Sequence, residues 1–93
     1  MEFEIIYTYD SERDEFEALN KGYRTYVIVQ IKEERYELNF ISMIRLVQDY
    51  EVEQEYLGYY LPEPNTLVVE DVTKETIEKV VKKLYERKYF EKE

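Results

Sequence analysis

The sequence predicts an α+β fold, in which a small mixed and mostly antiparallel sheet, with elements in the order β-β-β-α-β-α, carries two helices packed on one face. Three observations support this class. Hydrophobic residues recur at every second position in the first half of the chain and at helical spacing in two later segments, and two prolines separate those segments. With 93 residues, of which 44% are hydrophobic, residues 1–93 are predicted to form a single domain with one core.

The first strand is predicted within residues 2–9, where hydrophobic side chains alternate with polar ones. The acidic residues 10–17 that follow suit either a loop or one short helical turn, with Phe16 and Leu19 directed inward. Asn20-Lys21-Gly22 is a turn signal ahead of the next strand.

A hairpin is predicted next. Residues 23–32 alternate and are rich in β-branched side chains, which favours a central strand with Val27 on one face and Arg24 on the other. Glu33-Glu34 reverses the chain and residues 35–41 alternate again, so the two strands are predicted to pair antiparallel. The tyrosines predicted to lie on core faces are Tyr7, Tyr9, Tyr23, Tyr36 and Tyr85.

Two helices are predicted in the second half of the chain. Ser42 is the predicted N-cap of the first helix. The helix is predicted either to run to about Tyr56 with a largely exposed last turn or to end earlier, since Gln54 stands where an apolar residue would continue the stripe, and Gly58 is the predicted C-terminal stop. Its inward stripe is predicted to consist of Met43, Leu46, Val47 and Tyr50. Thr73 is the predicted N-cap of the second helix. The stripe of that helix consists of Ile77, Val80, Val81, Leu84 and Tyr85.

The segment between the helices contains both prolines. Residues 59–65 are predicted to form a loop because proline does not fit a central strand, and residues 66–70 are predicted to form a short buried strand.

Composition restricts the classes of function. The chain has no His and no Cys, and its net charge is −9 with a pI near 4.6. It therefore lacks a thiol nucleophile, a zinc-finger site and the residue most often used for proton transfer, and its charge argues against binding nucleic acid through phosphates. Neither a signal peptide nor a membrane span is recognisable, so we expect a cytoplasmic protein. No metal or cofactor is expected. The chain is expected to be a monomer or a weak homodimer.

The negative charge is concentrated in two stretches. Residues 1–20 have a net charge of −6, and residues 46–73 carry seven acids and no base. Tyrosines are interleaved with the second stretch, and tyrosine is enriched in binding hot spots. A solvated, merely solubilising surface is one interpretation, and a docking surface for a basic protein is the other. The residues predicted to contact such a partner are Asp49, Glu51, Glu53, Glu55, Tyr56, Tyr59, Tyr60 and Glu63.

Three pairs of neighbouring carboxylates are the candidates for acid–base chemistry: Glu33 with Glu34, Glu51 with Glu55, and Glu70 with Asp71. Catalytic carboxylates need burial and a perturbed pKa, whereas the first two pairs are predicted to lie in a turn and on an exposed helix face. Asp71 precedes the cap Thr73, which favours a role at the helix N-terminus. No catalytic residue is predicted, and the chain is expected not to be an enzyme.

A succession of segments between residues 23 and 90 resembles a group of small bacterial immunity proteins that neutralise polymorphic or contact-dependent toxins. The matching segments are Tyr36-Glu37-Leu38-Asn39-Phe40, Arg45-Leu46, Gly58-Tyr59-Tyr60, the run from Leu67 to Thr73, Ile77, Val80-Val81 and Leu84. Members often carry a Trp near the start of the first helix, where this chain has Met43-Ile44. The resemblance implies an inhibitor of a toxin, such as a nuclease, and transfers no contact residue.

The leading hypothesis is therefore a toxin-immunity protein that binds a basic effector. The alternative is a phage-encoded inhibitor of a host defence nuclease, such as an anti-CRISPR protein, which imitates nucleic acid with its carboxylates. Which of the two acidic stretches forms the interface is left open by the sequence.

Overall fold

The computed structural model describes residues 2–91 and confirms the α+β class. Its elements are β1 (Glu4–Tyr7), α1 (Glu12–Lys21), β2 (Tyr23–Ile31), β3 (Glu34–Ser42), α2 (Met43–Leu57), β4 (Thr66–Val69) and α3 (Lys74–Glu86). The strands form one mixed sheet in the order β1-β2-β3-β4. The predicted hairpin is confirmed, since β2 and β3 pair antiparallel with Val27 opposite Leu38. β4 runs parallel to β3, with α2 supplying the crossover that a parallel pair needs.

The helix α1 replaces the predicted loop or single helical turn. Ser11 and Asp14 form a capping box, in which each side chain accepts a hydrogen bond from the other residue's backbone N–H. Gly22 ends the helix in the left-handed conformation at φ +70°. The prediction that Phe16 and Leu19 point inward is wrong, because both are exposed and α1 is attached to the sheet through Glu15 instead.

A β-bulge changes the face on which Arg24 lies. The β2–β3 register shifts between Arg24 and Val27, and Tyr26 adopts a positive φ of 55° there. One extra residue reverses the alternation, so Arg24 stands opposite Phe40 on the core face and is only 4% exposed. The prediction that Arg24 and Val27 occupy opposite faces is therefore wrong.

The core lies between one face of the sheet and α3. Its buried members are Val27, Val29, Leu38, Phe40, Val69, Val72, Ile77, Val81 and Phe90. The predicted stripe of α3 is confirmed, since Ile77 and Val81 are buried and its other members pack against them. Thr73 is confirmed as the N-cap, because its Oγ1 accepts a hydrogen bond from the Thr76 N–H. The expectation that both predicted helices pack on one face holds for α3, whereas α2 contributes no side chain to this core.

Three of the five tyrosines that were predicted to lie on core faces do so, and two do not. Tyr7, Tyr36 and Tyr85 pack against the core as predicted. Tyr9 is exposed and Tyr23 is half-buried outside that cluster, so the prediction is wrong for both. Tyr9 lies beyond the end of β1. Tyr23 is paired with Ile41, but it lies beyond the bulge that brings its neighbour Arg24 to the core face, so Tyr23 points to the other face.

Arg24 holds three parts of the domain together. Its two terminal nitrogens donate to the Glu15 carboxylate at 2.8 and 3.0 Å, and its Nε donates to the Val72 carbonyl at 3.0 Å. The hydrogen-bonded guanidinium lowers the pKa of Glu15 below its usual value. The same guanidinium lies 5.5 Å from the centre of the Tyr7 ring. Because a buried charge is tolerated only when it is paired, this bidentate contact fixes α1 and the start of α3 against the sheet.

Candidate interaction surface

The helix α2 begins and ends where the sequence predicts. The Ser42 Oγ accepts a hydrogen bond from the Arg45 N–H at 3.2 Å, and Gly58 terminates the helix at φ +79°. A helix of 15 residues is about 22 Å long. The strand β3 leads directly into α2, so the position of Ser42 sets the direction in which this helix leaves the sheet.

The side of α2 that faces the domain is mostly polar. The half-buried residues of the helix are Arg45, Leu46, Asp49 and Glu53. Arg45 donates from Nε to Asp49 at 2.8 Å and from a terminal nitrogen to the Lys21 carbonyl at 3.1 Å. Nearby, the Ser42 N–H donates to the Gly22 carbonyl at 2.8 Å, and a Cβ at Gly22 would lie 2.5 Å from the Ser42 Oγ. These contacts anchor the first turns of α2 against the end of α1.

Next to its half-buried side, α2 carries apolar residues that do not belong to the core described above. Met43, Val47, Tyr50 and Leu57 fall on one face at helical spacing, with Ile44 at its border, and all five are exposed. Ile44 is 73% exposed and Val47 is 46% exposed. Of the predicted inward stripe only Leu46 is half-buried, so the prediction is wrong for Met43, Val47 and Tyr50. We call Met43, Ile44, Val47, Tyr50 and Leu57 the outer stripe of α2.

The predicted contact residues divide into exposed and half-buried members. The exposed ones are Glu51, Glu55, Tyr56, Tyr59 and Glu63, and the half-buried ones are Asp49, Glu53 and Tyr60. Tyr56 is the most accessible of the tyrosines, at 82% exposed. Asp49 is already paired with Arg45, and burial together with the nearby Asp49 charge raises the pKa of Tyr60. Asp49 and Tyr60 therefore serve the attachment of α2 and its following loop, and five predicted residues remain accessible to a partner.

The two acidic stretches differ in how their carboxylates are used. In residues 1–20, five of seven acids have a partner within the described part of the chain: Glu2 with Tyr85, Asp10 with Lys74, Asp14 with Ser11, Glu15 with Arg24 and Glu17 with Arg13. In residues 46–73, only Asp49 and Asp71 have one. The first stretch therefore stabilises the fold, whereas five carboxylates of the second have no side-chain hydrogen bond or ion pair among residues 2–91.

The candidate acid pairs lie at the surface. Glu33, Glu34, Glu51, Glu55 and Glu70 are exposed, and none of the acids in residues 2–91 is fully buried. Asp71 accepts hydrogen bonds from the Thr73 N–H and hydroxyl, which lower its pKa and confirm its place at the N-terminus of α3. Within residues 2–91, no group of three or more Asp and Glu side chains is placed to hold a metal ion.

The exposure of the outer stripe is not predicted by the sequence. An apolar stripe on a helix usually faces the core, so the pattern predicts burial for these residues. One signal was present in the sequence: Arg45 and Asp49 are an i, i+4 ion pair on the same side as Leu46, and such a pair favours a polar side turned toward hydrogen-bonding groups.

Comparisons with protein-family models, with curated proteins and with solved structures found no match to this chain. Among the described helices, none combines the length and the apolar character that crossing a bilayer requires.

Proposed function

We propose that this chain is a non-catalytic binding protein that neutralises a basic protein effector through the surface formed by α2 and the loop after it. The observation that carries the proposal is the set of accessible, unpaired carboxylates at Glu51, Glu55 and Glu63 beside the exposed rings of Tyr56 and Tyr59. No base lies between Arg45 and Lys74 to neutralise them. Carboxylates that are not used within the chain are free to steer and pair with a cationic partner.

The class of partner follows from the charge and from the resemblance together. An acidic surface with aromatic anchors suits a target whose own surface is cationic, as that of a nuclease is. The immunity-protein resemblance points to a toxin as the target, and the proposed site of action is the cytoplasm. In this proposal, the bound protein blocks the substrate groove of a toxin nuclease.

The test compares two charge reversals that change the net charge equally. Glu51→Lys/Glu55→Lys reverses two exposed carboxylates on α2, and Glu4→Lys/Glu12→Lys reverses the two acids of the first stretch that have no side-chain partner among residues 2–91. A basic toxin is sought among the products of the neighbouring genes and purified, and its affinity and its inhibition at one-to-one stoichiometry are measured with each variant. The α2 variant is expected to weaken binding by about tenfold or more at low salt, and the control is expected to change it little.

The opposite results are equally informative. Equal losses for both variants would show that only the total charge matters and not the α2 surface. Unchanged affinity and salt dependence for Glu51→Lys/Glu55→Lys would contradict the proposed docking surface.

A further inference from the structure

The outer stripe of α2 is unusual because it reverses the ordinary orientation of an amphipathic helix. A surface helix of a globular protein normally turns its apolar stripe to the core and its charges to water. Here the half-buried side holds three charged residues, Arg45, Asp49 and Glu53, and one apolar residue, Leu46. The larger set of apolar residues, in the outer stripe, is exposed. Scattered exposed apolar residues are common, but five on one face of a single helix form a continuous candidate contact surface.

The charges beside the outer stripe indicate what can cover it. Glu51 lies one turn beyond Val47, and Glu55 lies one turn beyond Glu51, so these carboxylates border the stripe along the helix. Neither has an ion-pair partner among residues 2–91. A second copy of this chain would bring like charges together, since α2 has one base and four acids. A partner with Lys or Arg around an apolar groove matches both the stripe and its border.

We propose that α2 docks as a helix into an apolar groove rimmed by Lys and Arg on the basic partner. This inference rests on the proposed function and makes it more specific, because it assigns the main contact to apolar side chains rather than to carboxylates occupying phosphate positions. An apolar stripe has no counterpart in a phosphate backbone, but it is what helix-in-groove recognition uses, with anchors at i, i+4 and i+7. Val47 and Tyr50 are the central anchors by position, and Glu51 and Glu55 set the orientation.

The test uses the full chain with defined cationic probes. The first probe is a peptide of about 18 residues containing only Leu and Lys at helical spacing, the second has the same composition in scrambled order, and the third is poly-lysine. Affinities are measured calorimetrically at about 50 and 200 mM salt, and the contact surface is mapped by backbone amide chemical shifts. The helical probe is expected to bind about tenfold or more tightly than the other two, with shifts concentrated in α2.

Three variants separate the contributions. Ile44→Ala/Val47→Ala removes most of two apolar side chains from the outer stripe and leaves the net charge unchanged. Because both residues are exposed, the fold should be kept. This variant is expected to reduce the affinity for the helical probe by about tenfold. Phe16→Ala removes a comparably exposed apolar side chain from α1 and is expected to have no effect. Glu51→Gln/Glu55→Gln is expected to reduce the salt dependence for every probe.

The outcomes distinguish the inference from the function on which it rests. If the three probes bind with equal affinity and Ile44→Ala/Val47→Ala does not change it, docking of α2 into an apolar groove is contradicted. The proposed function is then kept, with a basic partner that binds through charge alone. If no cationic probe binds, both are wrong. If sedimentation shows a dimer that Ile44→Ala/Val47→Ala dissociates, the stripe is covered by a second copy and the inference is overturned.

Discussion

The helices α2 and α3 each carry an apolar stripe, weaker in α2 than in α3, and the two stripes have different surroundings. The stripe of α3 is buried against the sheet, with Ile77 fully inaccessible, whereas the outer stripe of α2 is exposed and its half-buried side is polar. At the start of α3, Asp10 pairs with Lys74 and Asp71 with Thr73, whereas Asp49 is the one acid of α2 with a side-chain partner within residues 2–91. The difference shows that α3 contributes to the core, while the outer stripe of α2 remains accessible to solvent.

The largest effect on stability is expected from one of two matched substitutions to Ala, one on each helix. Ile77→Ala removes a buried side chain from α3 and is expected to lower the free energy of unfolding by about 3 kcal/mol, because it leaves a cavity. Val47→Ala on α2 is expected to change it by less than about 0.5 kcal/mol, since this side chain is exposed in both states. Urea denaturation of the two variants measures both values. Similar losses would mean that the outer stripe is packed after all, and the comparison would fail.

A somewhat smaller effect is expected at Arg24, which pairs with Glu15 of α1 and donates from Nε to the Val72 carbonyl just before α3. Arg24→Ala leaves Glu15 without its bidentate partner and the Val72 carbonyl without its donor, so about 2–3 kcal/mol of stability should be lost. Arg13→Ala removes the exposed ion pair with Glu17 and is expected to cost less than about 0.5 kcal/mol. Urea midpoints again compare the two. Equal effects would contradict the structural role of Arg24.

The same ion pair gives a pH dependence. The pKa of Glu15 is lowered by its hydrogen bonds to Arg24, so the native state favours the ionised carboxylate. Its contribution to stability is therefore complete above the ordinary pKa of 4.5 and is lost as the pH falls through the lowered value. Glu15→Gln should flatten the acid limb of a stability profile. Glu51→Gln on α2, whose carboxylate has no partner in the described chain, serves as the control and should leave that limb as it is.

The smallest effect is expected at Tyr7, whose buried hydroxyl has no hydrogen-bond partner among residues 2–91. Tyr7→Phe should raise stability by about 1 kcal/mol or leave it unchanged, because an unsatisfied polar group is removed. Burial, followed by the nearby Glu78 charge, raises the pKa of Tyr7 from 10.0 to about 12. The native state thus retains the proton, and stability is lost as the pH rises from about 10 toward 12.

Denaturation at alkaline pH checks this. The loss of stability should be shallower in Tyr7→Phe than in the unaltered chain, while Tyr9→Phe at an exposed ring should behave as the unaltered chain. A marked destabilisation by Tyr7→Phe at neutral pH would show that its hydroxyl is hydrogen-bonded.

Much of the fold was predictable because it depends on short-range pattern. Ser42, Gly58 and Thr73 mark helix ends through contacts with residues a few positions away, and the structure confirms all three. The position of Arg24 was not predictable, since one bulge residue at Tyr26 moves it to the other face of the sheet. Of the candidate site, Glu51, Glu55, Tyr56, Tyr59 and Glu63 are accessible as predicted. Asp49 is paired with Arg45 of the same helix, which their i, i+4 spacing allows. Tyr60 is half-buried, which the sequence does not indicate because its burial depends on the tertiary structure.

By itself the sequence determined the fold class, the helix-end residues Ser42, Gly58 and Thr73, and the existence of an apolar stripe on α2 and on α3, because periodicity and capping act within a few residues. The tertiary structure decided which stripe is buried. Hydrophobic periodicity predicts that a helix has an apolar face, but it does not predict which part of the structure packs against that face. In this chain α3 occupies the apolar face of the sheet, and the contacts of Ser42 and Arg45 with the end of α1 turn the polar side of α2 inward. The outer stripe is therefore left exposed to solvent, with the exposed carboxylates of Glu51 and Glu55 beside it.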